Sequence, residues 1–167
     1  MKFEQIVRGK KEYLPLLLLA DPEEAMIDRY LERGELFVLW DKGEVRAAAV
    51  ITEESPQVCE VKNIAVRPDS QRKGYGKRLL DFLAEHYRRR FQTMLVGTGE
   101  TPSSVGFYTA CGFVRSHVVE NFFTDHYSQP VVDEGILLRD MLYFSRSLTE
   151  NHAKGEKIWN INLTPSC

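Results

Sequence analysis

The chain has 167 residues, of which 43% are apolar and 28% charged, and its net charge is −2. This length can bury a core of its own and favours one domain, and the composition is that of an ordinary globular protein. The nearly balanced charge gives no reason to expect a nucleic-acid or membrane partner.

The first half of the chain changes from helical to extended patterns. In chain order it predicts a strand, two helices and three strands, over residues 2–7, 13–20, 21–33, 36–40, 45–51 and 58–67. Asp21 is the predicted N-cap of the second helix, with Pro22 in its first turn, and Gly34 ends it. The three strands are joined by a glycine turn at 41–44 and a loop at 52–57.

The second half is dominated by one long helix with an apolar stripe at helical spacing. The patterns predict, in order, that helix, a strand, a short helix and two strands, over residues 74–90, 93–96, 102–110, 113–123 and 136–145. Residues 124–135 predict a polar loop. We expect one domain over residues 1–148 and a tail over 149–167. Hairpins give antiparallel pairs and helical crossovers give parallel ones, so the order predicts an α/β fold with a mixed sheet.

The cysteines are widely spaced, at Cys59, Cys111 and Cys167. They form no C-x-x-C pair and no cysteine–histidine set with zinc spacing, so we expect no metal site. Scattered cysteines fit a reducing, cytoplasmic setting. The N-terminal segment lacks the apolar run of a secretory signal, and residues 14–20 are too few to span a bilayer.

A glycine-rich turn precedes the long helix, with the sequence Gln71-Arg72-Lys73-Gly74-Tyr75-Gly76. The first amides of a helix lack partners and the helix dipole adds positive potential, so such a turn can bind an anion. Gly74 and Gly76 let the backbone approach a phosphate closely. The sequence is neither a Walker A loop nor a Rossmann fingerprint. We expect a phosphate-bearing ligand here, and a glycine loop that merely enters a helix is the alternative.

A second segment lies downstream, with the sequence Phe107-Tyr108-Thr109-Ala110-Cys111-Gly112-Phe113. It resembles the F-Y-x-x-x-G-F segment of the GNAT superfamily of N-acetyltransferases, and the turn at 71–76 resembles that superfamily's Q/R-x-x-G-x-G/A signature. The resemblance covers residues 36–123 well and the first 35 residues more loosely. It implies the GNAT fold, with a mixed sheet of about six to seven strands flanked by about four helices.

The resemblance also implies that acetyl-CoA is the co-substrate and that its pyrophosphate contacts the turn. The residues assigned to this contact are Gln71, Arg72, Lys73, Gly74, Tyr75, Gly76 and Lys77. The pantetheine arm is expected to pair with the end of the central strand at Ile64, Ala65 and Val66. An asparagine that binds pantetheine in many members has no counterpart here. Thr101, Ser103 or Ser104 can replace it, and we assign the contact to Ser104.

The implied reaction is direct attack of a primary amine on the thioester, with a backbone amide polarising the carbonyl. Tyr108 occupies the family position for the general acid, and its ordinary pKa of about 10 keeps it protonated at neutral pH. Core packing of Tyr108 is the alternative. Glu60 is the candidate base, because burial can raise the pKa of a carboxylate. A salt bridge from Glu60 to Lys62, or a water chain in place of the base, is the alternative there.

Aromatic and acidic residues occur where the family builds its acceptor pocket. They are residues 122–127 with Asp133 and Glu134 on one side, and Glu23, Glu24, Asp28 and Glu32 on the other. Acids attract a cationic amine and aromatic faces accept one, so we favour a small-molecule amine as the acceptor. A protein or peptide amine and a non-catalytic CoA-binding module are the alternatives. An edge strand and Trp159 leave a homodimer open.

Overall fold

Nine strands and five helices make up residues 1–149, the part of the chain that the computed structural model describes. The strands β1 to β9 are Lys2–Ile6, Glu35–Asp41, Glu44–Ser55, Val58–Val66, Thr93–Gly99, Val114–Val119, Val132–Asp133, Ile136–Leu137 and Met141–Ser147. The helices α1 to α5 are Leu14–Leu17, Glu24–Asp28, Tyr75–Tyr87, Pro102–Ala110 and Phe122–His126. Short 3-10 turns lie at Lys10–Tyr13 and Pro68–Ser70.

Seven of the strands form one mixed sheet in the order β1-β2-β3-β4-β5-β9-β6. Only the β4–β5 pair is parallel among the pairs described, and the others are antiparallel. The helix α3 makes the crossover between β4 and β5, as a parallel pair requires. The predicted mixed α/β sheet is therefore confirmed. Strands β7 and β8 form a separate two-stranded hairpin.

The two faces of the sheet carry two separate cores. In β2, Phe37 and Leu39 pack with α3 on one face, whereas Leu36 and Val38 pack with α1 and the residues around α2 on the other. Successive strand residues point to opposite faces, so covering both faces explains the continuous apolar run of this strand. The long helix α3 spans 13 residues, and no helix in residues 1–149 is long and apolar enough to cross a membrane.

The second helix is shorter than its sequence predicts. It covers only Glu24–Asp28, and residues 29–33 form turns. The Lys10 ammonium donates to three carbonyl oxygens of this region, at 3.1, 3.2 and 2.7 Å from Leu31, Glu32 and Gly34. A side chain thus satisfies carbonyls that a longer helix would have left at its end. The prediction of Asp21 as N-cap is wrong, since the position before the helix is Glu23.

The predicted strand over residues 136–145 is interrupted between β8 and β9. Leu138 leaves the strand path and packs on Gly99, where a Cβ would lie only 2.5 Å from Leu138 Cδ1. The next carbonyl, of Arg139, accepts the Phe123 N–H at 2.9 Å. The interruption therefore allows α5 to contact the segment that leads into β9. This contact is long-range, so no local sequence pattern predicts it.

Two predicted loops contain regular structure. Strand β3 continues to Ser55 and so covers most of the predicted loop at 52–57. The predicted polar loop at 124–135 includes the end of α5 and all of β7. The predicted tail at 149–167, with Trp159, lies outside the described residues except for Thr149.

Candidate active site

A cleft opens where the central strands β4 and β5 separate. The two strands pair only from Val58 with Thr93 to Val61 with Val96. Beyond that point β4 follows β3 and β5 follows β9, so the facing edge of β4 has no strand partner among residues 1–149. The pairing of β3 with β4 skips Lys62, a bulge of the kind that often lies beside active sites. The cleft has a volume of about 370 Å³.

The turn between β4 and α3 has an unusual backbone. Arg72 and Gly74 both have positive φ, at 61° and 86°. A Cβ at Gly74 would meet no atom within 4 Å, so glycine is needed there for its conformation rather than for space. Arg72 adopts the same conformation without that freedom, and such strain occurs most often at functional sites. Gly74 is the N-cap of α3 and no side chain in the described part of the chain caps the first amides, which leaves them open to an anion.

Other residues of this turn have structural partners. The Tyr75 hydroxyl donates to Asp41 at 2.6 Å, and the Gln71 amide donates to the Val66 carbonyl at 3.2 Å. Lys77 pairs with Asp81 at 2.9 Å. The side chains of Arg72 and Lys73 are exposed and have no ion pair within residues 1–149. Those two side chains are therefore the basic groups of the turn that can attract a ligand.

Gly76 also has a packing role that the sequence did not predict. It is buried, and a Cβ there would lie 3.0 and 3.2 Å from two ring atoms of Phe107. The prediction assigned this glycine to the approach of a phosphate. The structure shows that it lets α4 pack closely against the start of α3, so the two motifs found in the sequence are in contact.

Tyr108 lies both in the core and at the cleft. It lines the cleft from α4 and is only 8% exposed. Its ring packs with those of Phe107, Phe113 and Phe144, at centroid distances of 5.0, 5.8 and 5.8 Å. Burial raises the pKa of Tyr108 well above its ordinary value, so the phenol is protonated at neutral pH. No side chain among residues 1–149 hydrogen-bonds its hydroxyl, which is thus free to act on a bound molecule.

The walls of the cleft bring Ser104 and Ile64 together from different elements. Ser104 lies in the first turn of α4, where its N–H donates to the capping oxygen of Thr101 at 3.2 Å. The Thr101 hydroxyl in turn donates to Ser104 Oγ at 2.9 Å. On the opposite wall, Ala65 and Val66 continue β4 after Ile64. The hydrogen bonds between Thr101 and Ser104 fix the position of Ser104 at the cleft.

Glu60 lies beside the cleft, although it does not line it. It is 6% exposed, and its carboxylate is 2.7 Å from the ammonium of Lys62. Lys62 itself lines the cleft and also contacts Glu54 at 3.2 Å. Burial, and then the charge and hydrogen bond of Glu60, raise the pKa of Tyr143. The ion pair expected as one alternative for Glu60 is therefore present.

A buried carboxylate that the sequence analysis did not assign to the site lies on the cleft wall. Asp21 is 7% exposed, and it accepts the Tyr30 hydroxyl on Oδ2 at 3.0 Å and the Tyr127 hydroxyl on Oδ1 at 2.9 Å. Burial raises the pKa of Asp21, and the two tyrosine hydrogen bonds offset part of that rise. No basic side chain within the described chain forms an ion pair with it.

Asn63 extends this hydrogen-bond network to β4. Its amide group donates to the Leu17 carbonyl and to the Tyr30 hydroxyl, each at 3.0 Å. The Leu17 carbonyl can only accept, so it fixes the orientation of the amide. Asn63 Oδ1 is then buried without a partner among residues 1–149. In the sequence, Asn63 stands out as a polar residue inside an apolar predicted strand, and this is the signal that marks its position.

The acids expected beside the acceptor are mostly occupied elsewhere. Lys11 pairs with Glu24 at 2.7 Å and also with Asp28. Glu134 bonds Ser103. The remaining expected residues that do line the cleft are Phe123, Tyr127 and Asp133. From the segment of α1 and α2, the acid on the cleft wall is therefore Asp21 and none of the four that the sequence suggested.

Comparison with known proteins identifies the family. The acetyltransferase (GNAT) family model matches residues 4–113. The uncharacterized N-acetyltransferase YvbK of Bacillus subtilis (strain 168) is 38% identical over 133 residues, which are 78% of this chain and 86% of YvbK. A GNAT family acetyltransferase of Elizabethkingia anophelis, solved with acetyl-CoA bound, is 30% identical with a TM-score of 0.83, over 87% of this chain and 97% of its own. A B. subtilis acetyltransferase solved with CoA is 34% identical with a TM-score of 0.79, over the same shares.

The sheet, the turn and the cleft define a CoA-dependent acyltransferase. The chain belongs to the acetyltransferase (GNAT) family. The resemblance seen in the sequence, the GNAT fold and the acyltransferase activity are thereby confirmed. Acetyl-CoA and CoA, which occupy two of the solved relatives, agree with the predicted co-substrate.

Proposed function

We propose that this acetyltransferase moves the acetyl group of acetyl-CoA to a primary amine, and that the acceptor is a small molecule. The observation that carries the proposal is Tyr108, a protonated phenol with a free hydroxyl at the point where β4 and β5 separate. A neutral acid in this position suits the departure of a thiolate.

On the donor side, we infer that the CoA pyrophosphate contacts the turn before α3. Its residues are Gln71, Arg72, Lys73, Gly74, Tyr75, Gly76 and Lys77. The uncapped amides of α3 and the exposed Arg72 and Lys73 support this contact, because both attract phosphate oxygens. Tyr75 and Gly76 are buried and would contribute their backbone amides only.

The pantetheine arm would pair with the open edge of β4 at Ile64, Ala65 and Val66. The absence of a strand partner there, within the described chain, supports this arrangement, since a strand edge offers backbone groups to an extended ligand. Ser104 on the facing wall is the residue we assign to the polar groups of the arm.

The reaction is a direct acyl transfer. The amine nitrogen attacks the thioester carbon, and a backbone amide of β4 near the bulge stabilises the oxyanion that forms. The carbon–sulfur bond then breaks, and the sulfur takes the proton of the Tyr108 hydroxyl. The amine loses one proton to a base and Tyr108 regains its proton from solvent, so the products are an amide and the free thiol of CoA.

We propose Glu60 as the base that receives the amine proton. Its burial next to Lys62 and Tyr143 supports a carboxylate held in a fixed position. Because Glu60 does not line the cleft, a water molecule would carry the proton from the amine. In this arrangement Glu60 and a water molecule act together, whereas the sequence left them as alternatives.

Hydrogen bonds between two segments of the cleft wall favour a small acceptor. Glu23 accepts the Ser128 N–H and hydroxyl at 2.8 and 2.7 Å, and Tyr127 bonds Asp21. These contacts join the loop between α1 and α2 to the segment after α5 and so connect two parts of the cleft wall. The cytoplasmic setting and a homodimer stay predictions, the latter resting on an exposed edge strand and on Trp159, which lies outside the described residues.

The test is release of free CoA thiol from acetyl-CoA across a panel of small amines, lysine peptides and peptides with a free N-terminus. We expect release with small amines and little with peptides. Release with peptides alone would overturn the acceptor class. No release with any amine, together with a normal thermal shift on acetyl-CoA, would indicate a binding module instead.

A further inference from the structure

The carboxylate of Asp21 has a negative charge that the described chain leaves uncompensated. Its two oxygens are held by neutral hydroxyls of Tyr30 and Tyr127, at 3.0 and 2.9 Å. A buried carboxylate usually has a cationic partner, because removing an unpaired charge from water is costly. The neighbouring charge that acts on Asp21 is another acid, Glu23, whose backbone N–H also donates a hydrogen bond to it. The site therefore has the charge of a cation-binding site.

The residues around Asp21 also favour a cationic ligand. Asn63 Oδ1 is a buried hydrogen-bond acceptor without a partner among residues 1–149, and its amide group shares the Tyr30 hydroxyl with Asp21. Asp133 adds a second carboxylate to the cleft. Lys62 is the basic residue among those that line the cleft in the described chain, and Glu60 and Glu54 neutralise it. The wall at Asp21 thus offers acceptors and negative charge to a ligand that donates hydrogen bonds.

We propose that Asp21 binds an ammonium group of the acceptor that does not itself react, so that the preferred acceptors are small diamines. This inference rests on the proposed function. The reacting nitrogen must lose its proton before it attacks, and a carboxylate in contact with it would favour its charged form. A second amine that does not react can stay protonated, so contact with a carboxylate does not oppose the reaction. Asp21 therefore acts as a specificity residue, separate from Tyr108 on the α4 wall.

The test compares two acceptors that differ in one group. Putrescine carries an ammonium at each end, and aminobutanol has a hydroxyl in place of one of them. We expect the wild-type protein to prefer putrescine, and Asp21→Asn to lower kcat/KM for putrescine about 10- to 100-fold, as loss of a charged hydrogen-bond partner does. The rate with aminobutanol should change little, so the preference should disappear.

A matched control removes the same charge from the same segment outside the cleft. Glu32 is exposed and does not line the cleft, so Glu32→Gln should keep the preference for putrescine. Tyr127→Phe, which removes one hydrogen bond to Asp21 and keeps its charge, should weaken the preference in part.

The outcomes separate this inference from the proposed function. An equal loss for both acceptors in Asp21→Asn would overturn the cation site and indicate a structural role. An unchanged preference would overturn it as well. If wild-type protein acetylates neither compound nor any other amine, the proposed function fails first. A binding measurement gives an independent readout, because putrescine should raise the Tm of the wild type and leave that of Asp21→Asn unchanged.

Discussion

Tyr127 donates its hydroxyl hydrogen bond to Oδ1 of Asp21 at 2.9 Å, across a sequence separation of 106 residues. The contact joins the loop between α1 and α2 to the segment that follows α5. Ser128 and Glu23 add a second connection beside it. One wall of the cleft is thus assembled from two segments that are distant in sequence, and Asp21 on that wall has no cationic partner among residues 1–149.

Replacing Asp21 by Asn should stabilise the ligand-free protein at neutral pH. The pKa of Asp21 is raised in the folded state, chiefly by burial, so the folded state prefers the protonated form. Ionisation of Asp21 therefore costs stability, and this cost is absent below its unfolded pKa and grows as the pH rises through the folded pKa. We expect the Tm of Asp21→Asn to exceed that of the wild type by about 2–4 °C at pH 7, as about 1 kcal/mol produces in a domain of this size.

The same comparison should be repeated at low pH. Below about pH 4, where the carboxyl is protonated in both states, the two Tm values should converge. The amide oxygen of Asn can accept one of the two tyrosine hydroxyls and its NH2 group can donate to the oxygen of the other, so the network survives the change. A lower Tm for Asp21→Asn at pH 7 would contradict the account of an uncompensated charge.

Replacing Tyr108 by Phe should lower kcat about 10²- to 10³-fold, the range typical of a lost general acid. The ring remains packed against Phe107, Phe113 and Phe144, so the Tm should change little. Thiol release at saturating acetyl-CoA measures the effect. Tyr13 is a half-buried tyrosine outside the cleft, so Tyr13→Phe is the matched control and should keep the wild-type rate. An unchanged kcat in Tyr108→Phe would remove this residue from the mechanism.

Replacing Gly76 by Ala should destabilise the protein by about 1–3 kcal/mol, the usual cost of overpacking. The new Cβ would lie 3.0 Å from the Phe107 ring, so α4 would have to move away from α3. Urea unfolding measures the change. Gly106→Ala on α4 is the control, because a Cβ there meets no atom within 4 Å and alanine favours the helix.

A double variant identifies the cause. Gly76→Ala combined with Phe107→Leu should recover part of the lost stability, since a smaller side chain gives the Cβ room. If the two losses simply add, the contact between the motifs is not the reason for this glycine.

Replacing Glu60 by Gln should lower kcat/KM about 10²-fold at neutral pH, because the amine then has no carboxylate to receive its proton. Lys62 keeps Glu54 as a partner at 3.2 Å, so the fold should tolerate the change. The loss should shrink at high pH, where more of the free amine is already neutral. A pH–rate profile tests this, and a loss that is the same at every pH would assign Glu60 to structure instead. Glu54→Gln should retain the wild-type profile.

The turn before α3 and the segment around Tyr108, to which we assign the donor, could be located from the sequence because they depend on local patterns. The turn at 71–76 and the segment around Tyr108 are each continuous in the chain, and each has a residue order that its backbone geometry requires. The positive φ of Gly74 is one such requirement. The packing role of Gly76 against Phe107 was not predicted, because Phe107 is distant in sequence.

The acceptor half could not be predicted in this way. Asp21 before a proline has the pattern of a helix cap, and only its burial against Tyr30 and Tyr127 gives it another role. Counting acids suggested Glu24 and Asp28, which Lys11 neutralises. A sequence does not show which charged residues form ion pairs. Asp21, which has no cationic partner in the described chain, could therefore be recognised only from the structure.

The most direct test of the account is to identify the product formed from putrescine and acetyl-CoA carrying a ¹³C-labelled acetyl group. Nuclear magnetic resonance follows the labelled carbonyl while thiol release is counted in the same sample. The account predicts one N-acetyl amide for each free thiol, with formation that falls strongly in Tyr108→Phe. Thiol release with labelled acetate as the product, or no transfer of label to any amine, would contradict it.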